Sequence, residues 1–238
     1  MKGFWAVTMQ RRRLFYGMAL CVVLSVILGL FSLGEDDELD LMAVNDQKVP
    51  PPKGEIRLVI NVNQRRLWVY SGDQLHKTYP IAVGKSKTPS PVGEWKIVWK
   101  DYNWGTGFGT RWMGLNVPWG IYGIHGTNKP WTIGTFASHG CIRMRNRDVE
   151  ELFEWVPIGT PVRIEGPKIK VERVLKYQMC GPDVVMLQLK LKELGYLAER
   201  ADGIFGRVTE EAVKKYQADR NLPADGVVTK EIARRLGL

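Results

Sequence analysis

The sequence predicts a multidomain protein: an N-terminal transmembrane helix, then a mainly β domain of sandwich or barrel type, then a small module of three helices. Three observations carry this. Residues 14–34 hold no charged side chain, residues 56–166 alternate apolar and polar between Gly/Pro breaks, and from about residue 178 the apolar period becomes helical. The boundaries that follow are 1–34 for a cytoplasmic N-terminus and membrane anchor and 35–55 for a linker. Residues 56–166 then form the β domain, 167–177 a second linker and 178–238 the helical domain.

The first element is the run LFYGMALCVVLSVILGLFSLG. Its 21 residues, at about 1.5 Å each, match a hydrocarbon core of about 30 Å. Arg11, Arg12 and Arg13 precede it and the acidic EDDELD of 35–40 follows, which predicts a cytoplasmic N-terminus and an exported remainder. A cleaved signal peptide is the alternative, with Ser32 and Gly34 at a cleavable spacing, but the run is long for that and lacks A-x-A. Cys21 inside it reads as a small apolar residue. The VPPPK of 49–53 closes a semi-extended spacer.

In the β domain, Ile56, Leu58, Ile60 and Val62 fall on one face, and turns at Asn63-Gln64 and Ser71-Gly72-Asp73 predict an antiparallel meander. Further strands are expected at 94–100, 120–126 and 160–166. One helix, 147–156, places Val149, Leu152, Phe153 and Val156 at helical spacing. In the C-terminal module, Gly181-Pro182 opens a helix with the stripe Val184, Leu187, Leu191 and Leu194. Asp-Gly turns at 202 and 225 lead to two more helices, for which Thr209 and Thr229 are the expected caps.

Composition narrows the partners. The 238 residues carry 34 Lys+Arg against 25 Asp+Glu, a formal charge of +9, with 45% hydrophobic residues, within the range of globular chains. Residues 1–53 hold six basic and six acidic side chains, so the excess lies in the β domain, 14 against 9, and the remainder, 14 against 10. That places the positive charge beyond the expected membrane crossing, beside anionic lipid or wall polymer rather than nucleic acid. Three cysteines, at 21, 141 and 180, are too few for a disulfide framework.

The densest chemistry is HGT at 125–127 followed by SHGCIRM at 138–144. A cysteine attacks as thiolate and needs a base or cation nearby, and an imidazole can take the thiol proton and return it to a leaving amine. Either His125 or His139 has the chemistry. His139 lies two residues from Cys141, on the same face of an extended chain, whereas His125 sits on a different segment at a strand end. Gly140 permits an unusual backbone angle, and the N–H groups of Gly140 and Cys141 are the expected donors to an oxyanion. A zinc site built from His125, His139 and Cys141 is disfavoured, because the H-G-C spacing lacks the usual ligand geometry.

These residues, followed by a helix and VPIGTPVRI at 156–164, resemble the L,D-transpeptidase catalytic domain (YkuD-like). The resemblance implies a β-sandwich, Cys141 as the acylated nucleophile and His125 as proton donor and acceptor. It also makes Gly126, His139, Gly140 and Arg143 site-shaping positions. The substrate it implies is a peptidoglycan stem peptide, whose terminal D-alanine is expelled before the acyl group passes to a second amine. No cofactor or metal enters that chemistry, and β-lactams of the carbapenem type become expected covalent inhibitors. Residues 181–236 are similar to the three-helix peptidoglycan-binding domain, in which Val184, Leu187, Leu191, Ala212 and Val213 read as core. Two alternatives stand beside this: a carboxypeptidase or endopeptidase that trims stems, and a catalytically silent wall binder.

Among the remaining residues, Trp99, Trp104, Trp112, Trp119 and Trp131 flank a Gly-rich stretch, 103–114, that reads as a mobile substrate-covering loop or as ordinary core. His76 is expected to face solvent. Cys180 is expected to be a half-buried free thiol, since a 141–180 disulfide would block the nucleophile.

Overall fold

The computed structural model describes residues 49–238; the apolar run 14–34 with Cys21, and most of the first linker, lie outside the described residues. Among the described residues no helix is long and apolar enough to cross a membrane.

The meander forms where the alternation predicts it, as β1 (Ile56–Asn61), β2 (Arg66–Ser71) and β3 (Gln74–Pro80). Leu58, Ile60 and Val62 are buried on one face. Then come β4 (Val83–Gly84), β5 (Gly93–Tyr102), β6 (Arg111–Leu115), β7 (Tyr122–His125), β8 (Phe136–Ser138), β9 (Ile142–Arg143), α1 (Asn146–Trp155) and β10 (Pro161–Glu165). Eight strands make one ladder in the order β3-β2-β1-β10-β5-β6-β7-β9, and β4 pairs with β8 apart from it. The sheet is mixed rather than wholly antiparallel: β10 joins β1, and β9 joins β7, in parallel. Both parallel pairs close over long crossovers, which short-range alternation does not reveal.

Of the two readings of 103–114, covering loop and ordinary core, each holds for one part. The stretch 103–114 is a loop only in its first part, because Arg111–Leu115 is a central strand with Trp112 and Met113 buried. Glycines at 105, 107 and 109 read as loop, but the apolar residues after them pair with β5 and β7. On α1, Val149, Leu152 and Phe153 are buried against the ladder, each side chain stabilising by roughly 1.5–3 kcal/mol, and the helix packs on β6 and β7. His76 is half-buried with its ring edge-on to Trp155 at 5.3 Å, not turned to solvent.

The C-terminal module has the three expected helices, α2 (Pro182–Glu193), α3 (Arg207–Asp219) and α4 (Lys230–Arg235). Val184, Leu187, Leu191, Ala212 and Val213 are core as expected, whereas Leu194 is 38% exposed at the helix end. Thr229 caps α4 by accepting from the Ile232 N–H at 3.3 Å. Thr209 caps nothing. Helix α3 starts earlier, at Arg207, and the Thr209 hydroxyl accepts from Gln188 Nε2 at 3.1 Å. Cys141 and Cys180 are both free thiols, and Cys180 is exposed rather than half-buried.

Two buried glutamines hold the module's two Asp-Gly turns in the same way. Gln188 Nε2 donates to Asp202 Oδ1 and the Ile204 carbonyl, both at 3.0 Å, while its Oε1 accepts from the Gly203 N–H at 2.7 Å. Gln217 Nε2 donates to Asp225 Oδ1 at 2.7 Å and the Val227 carbonyl at 3.0 Å, and its Oε1 accepts from the Gly226 N–H at 2.8 Å.

The module docks on the start of β5. Glu94 and Ala201 share an N–H to carbonyl bond of 3.0 Å, and the Glu94 carboxylate takes Lys192 Nζ at 2.7 Å and the Ala201 N–H at 3.0 Å. Burial raises this carboxyl, and those two donors outweigh it, holding it below the usual carboxylate range.

Candidate active site

The parallel pairing of β7 with β9 sets Ile124 opposite Ile142 and His125 opposite Arg143. Cys141 stands just before β9, two residues from Arg143, and bonds to the Gly123 backbone, so the nucleophile candidate and His125 belong to neighbouring segments. The chain between them leaves through Gly126, makes a 3-10 turn at Pro130–Thr132, adds β8 beside β4 and returns. A register shift of one residue would turn Cys141 to the other face, so this short pairing fixes the geometry.

His125 is almost fully buried at 2% exposure. Its Nδ1 lies 2.5 Å from the Gly126 carbonyl, which can only accept, so Nδ1 carries the proton and Nε2 is the basic nitrogen of the neutral ring. Gly126 thus acts through its carbonyl. Trp112, opposite His125 in the β6–β7 register, stacks on the imidazole at 5.4 Å and 21°, and Phe108 meets it edge-on at 5.0 Å. Burial in this aromatic setting, with the Arg143 charge beside it, lowers the ring's pKa to about 4 against the pull of the Gly126 and Phe108 backbone. The ring is therefore neutral at pH 7.

Cys141 is half-buried, and its Sγ lies 4.0 Å from the Ile121 carbonyl. Burial raises the thiol's pKa, while a hydrogen bond from the Gly123 backbone and the Arg143 charge pull only partly in the other direction. Thiol and imidazole are therefore both neutral at rest.

The nucleophile loop is held by a hydroxyl. Ser138, 1% exposed, accepts from the Gly140 N–H at 3.0 Å and donates to the Cys141 carbonyl at 2.6 Å. This corrects one expectation: with its N–H bonded to Ser138 Oγ, Gly140 is not an oxyanion donor, and the Cys141 amide is left for that part. Gly140 is required for space and angle. Its φ is +117°, and a Cβ there would lie 2.6 Å from Tyr122 Cε1. His139 is exposed on a bend, so the chain there is not extended and the same-face argument for it lapses. Asn146 Oδ1 accepts from the Thr127 N–H at 3.1 Å and packs against Gly109 and Gly126, tying α1 to the segment after His125.

Arg143 exchanges both backbone hydrogen bonds with Ala82 at 2.9 Å, and its charge reaches both His125 and Cys141. Its Nε is buried without a partner, as are Arg111 Nε, Trp112 Nε1 and Thr110 Oγ1. Among the described residues no group of three or more His, Cys, Asp or Glu is placed to hold a metal. Cavities of about 360 and 710 Å³ flank the C-terminal module and hold neither Cys141 nor His125 in their walls.

Sequence reasoning missed Trp112, Phe108, Ser138 and Asn146. Ser138 carried a signal as the first residue of SHGCIRM, and Trp112 carried one in the alternation of RWMGL across from YGIH.

Residues 55–164 match the family described as "L,D-transpeptidase catalytic domain", and residues 180–236 match "Putative peptidoglycan binding domain". Residues 55–164 are an L,D-transpeptidase catalytic domain. The L,D-transpeptidase domain accounts for the similarity to "Putative L,D-transpeptidase YkuD" of Bacillus licheniformis. That relative is 52% identical over 108 residues, which is 45% of this chain and 64% of the relative. The chain thus spans somewhat less than two thirds of that relative's length. "Putative L,D-transpeptidase YqjB" of Bacillus subtilis is 29% identical over 170 residues, 65% of this chain and 89% of that one. Among solved structures, the catalytic domain of an E. faecium L,D-transpeptidase aligns with a TM-score of 0.41 and 26% identity, covering 47% of this chain and 97% of that one. In the L,D-transpeptidase domain, Cys141, His125 and Arg143 stand on two adjacent strands, and the C-terminal module is joined to it through Glu94.

Proposed function

We propose that this protein is a peptidoglycan L,D-transpeptidase that acts through a thioester on Cys141. The observation that supports the reading is the β7–β9 register, which pairs His125 with Arg143 and Ile124 with Ile142, the residue after Cys141, together with a buried imidazole whose Nδ1 is pinned. His125 Nε2 takes the thiol proton as Sγ adds to the carbonyl of a tetrapeptide stem's diamino acid. The oxyanion is met by the Cys141 N–H and the Arg143 charge. Collapse breaks the C–N bond, and the imidazolium gives its proton to the departing D-alanine amine. A second stem's amine then attacks the thioester, gives its proton to His125 and leaves the thiol free, with a 3-3 cross-link as product.

The C-terminal module is assigned to holding wall glycan or peptide near this site, and residues 14–34 to tethering both domains outside the membrane. A strained amide of the carbapenem class is expected to acylate the same Sγ. Incubating the full chain with defined tetrapeptide stems and measuring masses tests the assignment: a stem acyl adduct on Cys141 and a cross-linked dimer are expected. A trimmed stem without dimer would make the protein a hydrolase, and neither product would sink the catalytic reading.

A further inference from the structure

The three residues that lead into β7 connect the two domains to the nucleophile. Trp119 is seated over Gly203 of the C-terminal module so closely that a Cβ at Gly203 would collide with Trp119 Cζ3 and with Val185. The same indole is edge-on to the fully buried Trp95 at 5.4 Å. Two residues on, the Ile121 carbonyl is the group 4.0 Å from Cys141 Sγ. One residue further, the Tyr122 ring lies where any side chain at Gly140 would have to go. Gly203 itself is fixed by the Gln188 clasp at 2.7 Å, and the junction beneath is held by the Lys192–Glu94 pair. A continuous line of packed groups therefore runs from α2 and its Asp-Gly turn to the wall of the nucleophile pocket.

We propose that Trp119 is a positioning residue through which the docked C-terminal module holds segment 119–122 against Cys141, so that the module's seating sets the exposure and reactivity of the thiol. The mechanism is mechanical. Trp119 anchors one end of a short segment whose other end, Tyr122, is pinned opposite Leu115 in the β6–β7 pairing, so release of the indole loosens Gly120 and Ile121 while the strand stays. The charged and titratable groups around Sγ, His125 from β7 and Arg143 from β9, are untouched by that release. What changes is the covering of the sulfur. The inference rests on Cys141 being the nucleophile, and deepens the proposed function by making a wall-binding module part of the active-site wall.

The test uses the full chain and alkylation of Cys141 by iodoacetamide, followed by mass at that residue across pH. Trp119→Ala removes the contact from one side, and Gly203→Ala pushes on it from the other, remote from the sulfur. Both should raise the alkylation rate below the thiol's pKa by about threefold or more, as a less covered thiol ionises at lower pH, and should move the pH midpoint down. Trp119→Phe should stay near the parent. In acyl transfer the same variants should lose kcat with little change in KM. Lys192→Met, which leaves the indole in place, should give a smaller shift in the same direction and serves as the readout if Trp119→Ala does not fold. An unchanged alkylation rate and midpoint in the folded variants would overturn the proposal. Trp119-dependent alkylation without acyl transfer by the parent would instead sink the proposed function and leave this coupling standing.

Discussion

The two described domains differ in how fully their buried polar groups are paired. In the C-terminal module, Gln188 and Gln217 are 2% and 0% exposed, and each bonds its side-chain oxygen and nitrogen to one Asp-Gly turn. In the catalytic domain, Thr110, Arg111, Trp112, Arg143 and Asp148 each leave a buried side-chain atom without a hydrogen-bond partner, and among the described residues these are all such atoms. A satisfied buried amide stabilises one conformation, whereas an unsatisfied one costs about 1–3 kcal/mol. The first pattern is what a fold needs. In the second, Trp112 stacks on His125 and Arg143 lies opposite it, so two of these atoms border the candidate site. Polarity closes the turns of one domain and is left partly unpaired at the candidate site of the other.

The strongest way to break that contrast is at the nucleophile. Cys141→Ala should reduce acyl transfer on tetrapeptide stems by about 10⁴-fold or more while leaving the unfolding midpoint near the parent's. Retained dimer formation would show that the unpaired atoms at this site serve something else. His125→Ala should cost about 10²–10⁴-fold.

The same residue has a stability signature. Its pKa is about 4 in the folded chain against 6.5 ordinarily, so between these values the unfolded chain binds more protons. The stability it contributes is complete above pH 6.5 and is lost as pH falls toward 4, by up to about 3 kcal/mol. Denaturant melts of the parent and of His125→Ala across that window should diverge accordingly, and parallel curves would contradict the buried, neutral imidazole.

On the structural side, Gln188→Ala should destabilise by about 3 kcal/mol, because the Gly203 N–H, Asp202 and Thr209 lose a buried partner together. Denaturant titration reads this directly. A loss under about 0.5 kcal/mol would mean that the clasp is not what holds the turn. The smallest effect is expected at His139. This residue is exposed, and His139→Ala should change acyl transfer by less than about threefold, within the range of surface substitutions. A loss as large as that of His125→Ala would move the proton-transfer role to the nucleophile's own loop.

Much of this was legible in the residues themselves. Period-2 alternation from Ile56 and period-3.6 stripes from Val184 reflect which faces must leave water, and burial follows them in both domains. HGT and SHGCIRM marked the candidate reacting groups, because few side chains can attack an amide or carry its proton. Thr209 looked like a cap, and the stretch before Leu115 was left open between loop and core, because local propensity was read where distant partners decide, Gln188 for the first and β5 and β7 for the second.

The sequence by itself determined the order of β domain and helical module, the strands of the meander, the three helices and the motifs that hold Cys141 and His125, since each depends on composition or short-range period. Only the tertiary structure decided that His125 is buried and His139 exposed, that Gly140 gives its N–H to Ser138, and that Trp119 packs against Gly203 of the C-terminal module. Each of those depends on the register of short strands and on contacts between segments far apart in the chain. A hydrophobic pattern records which face is buried, and it does not record which neighbour buries it.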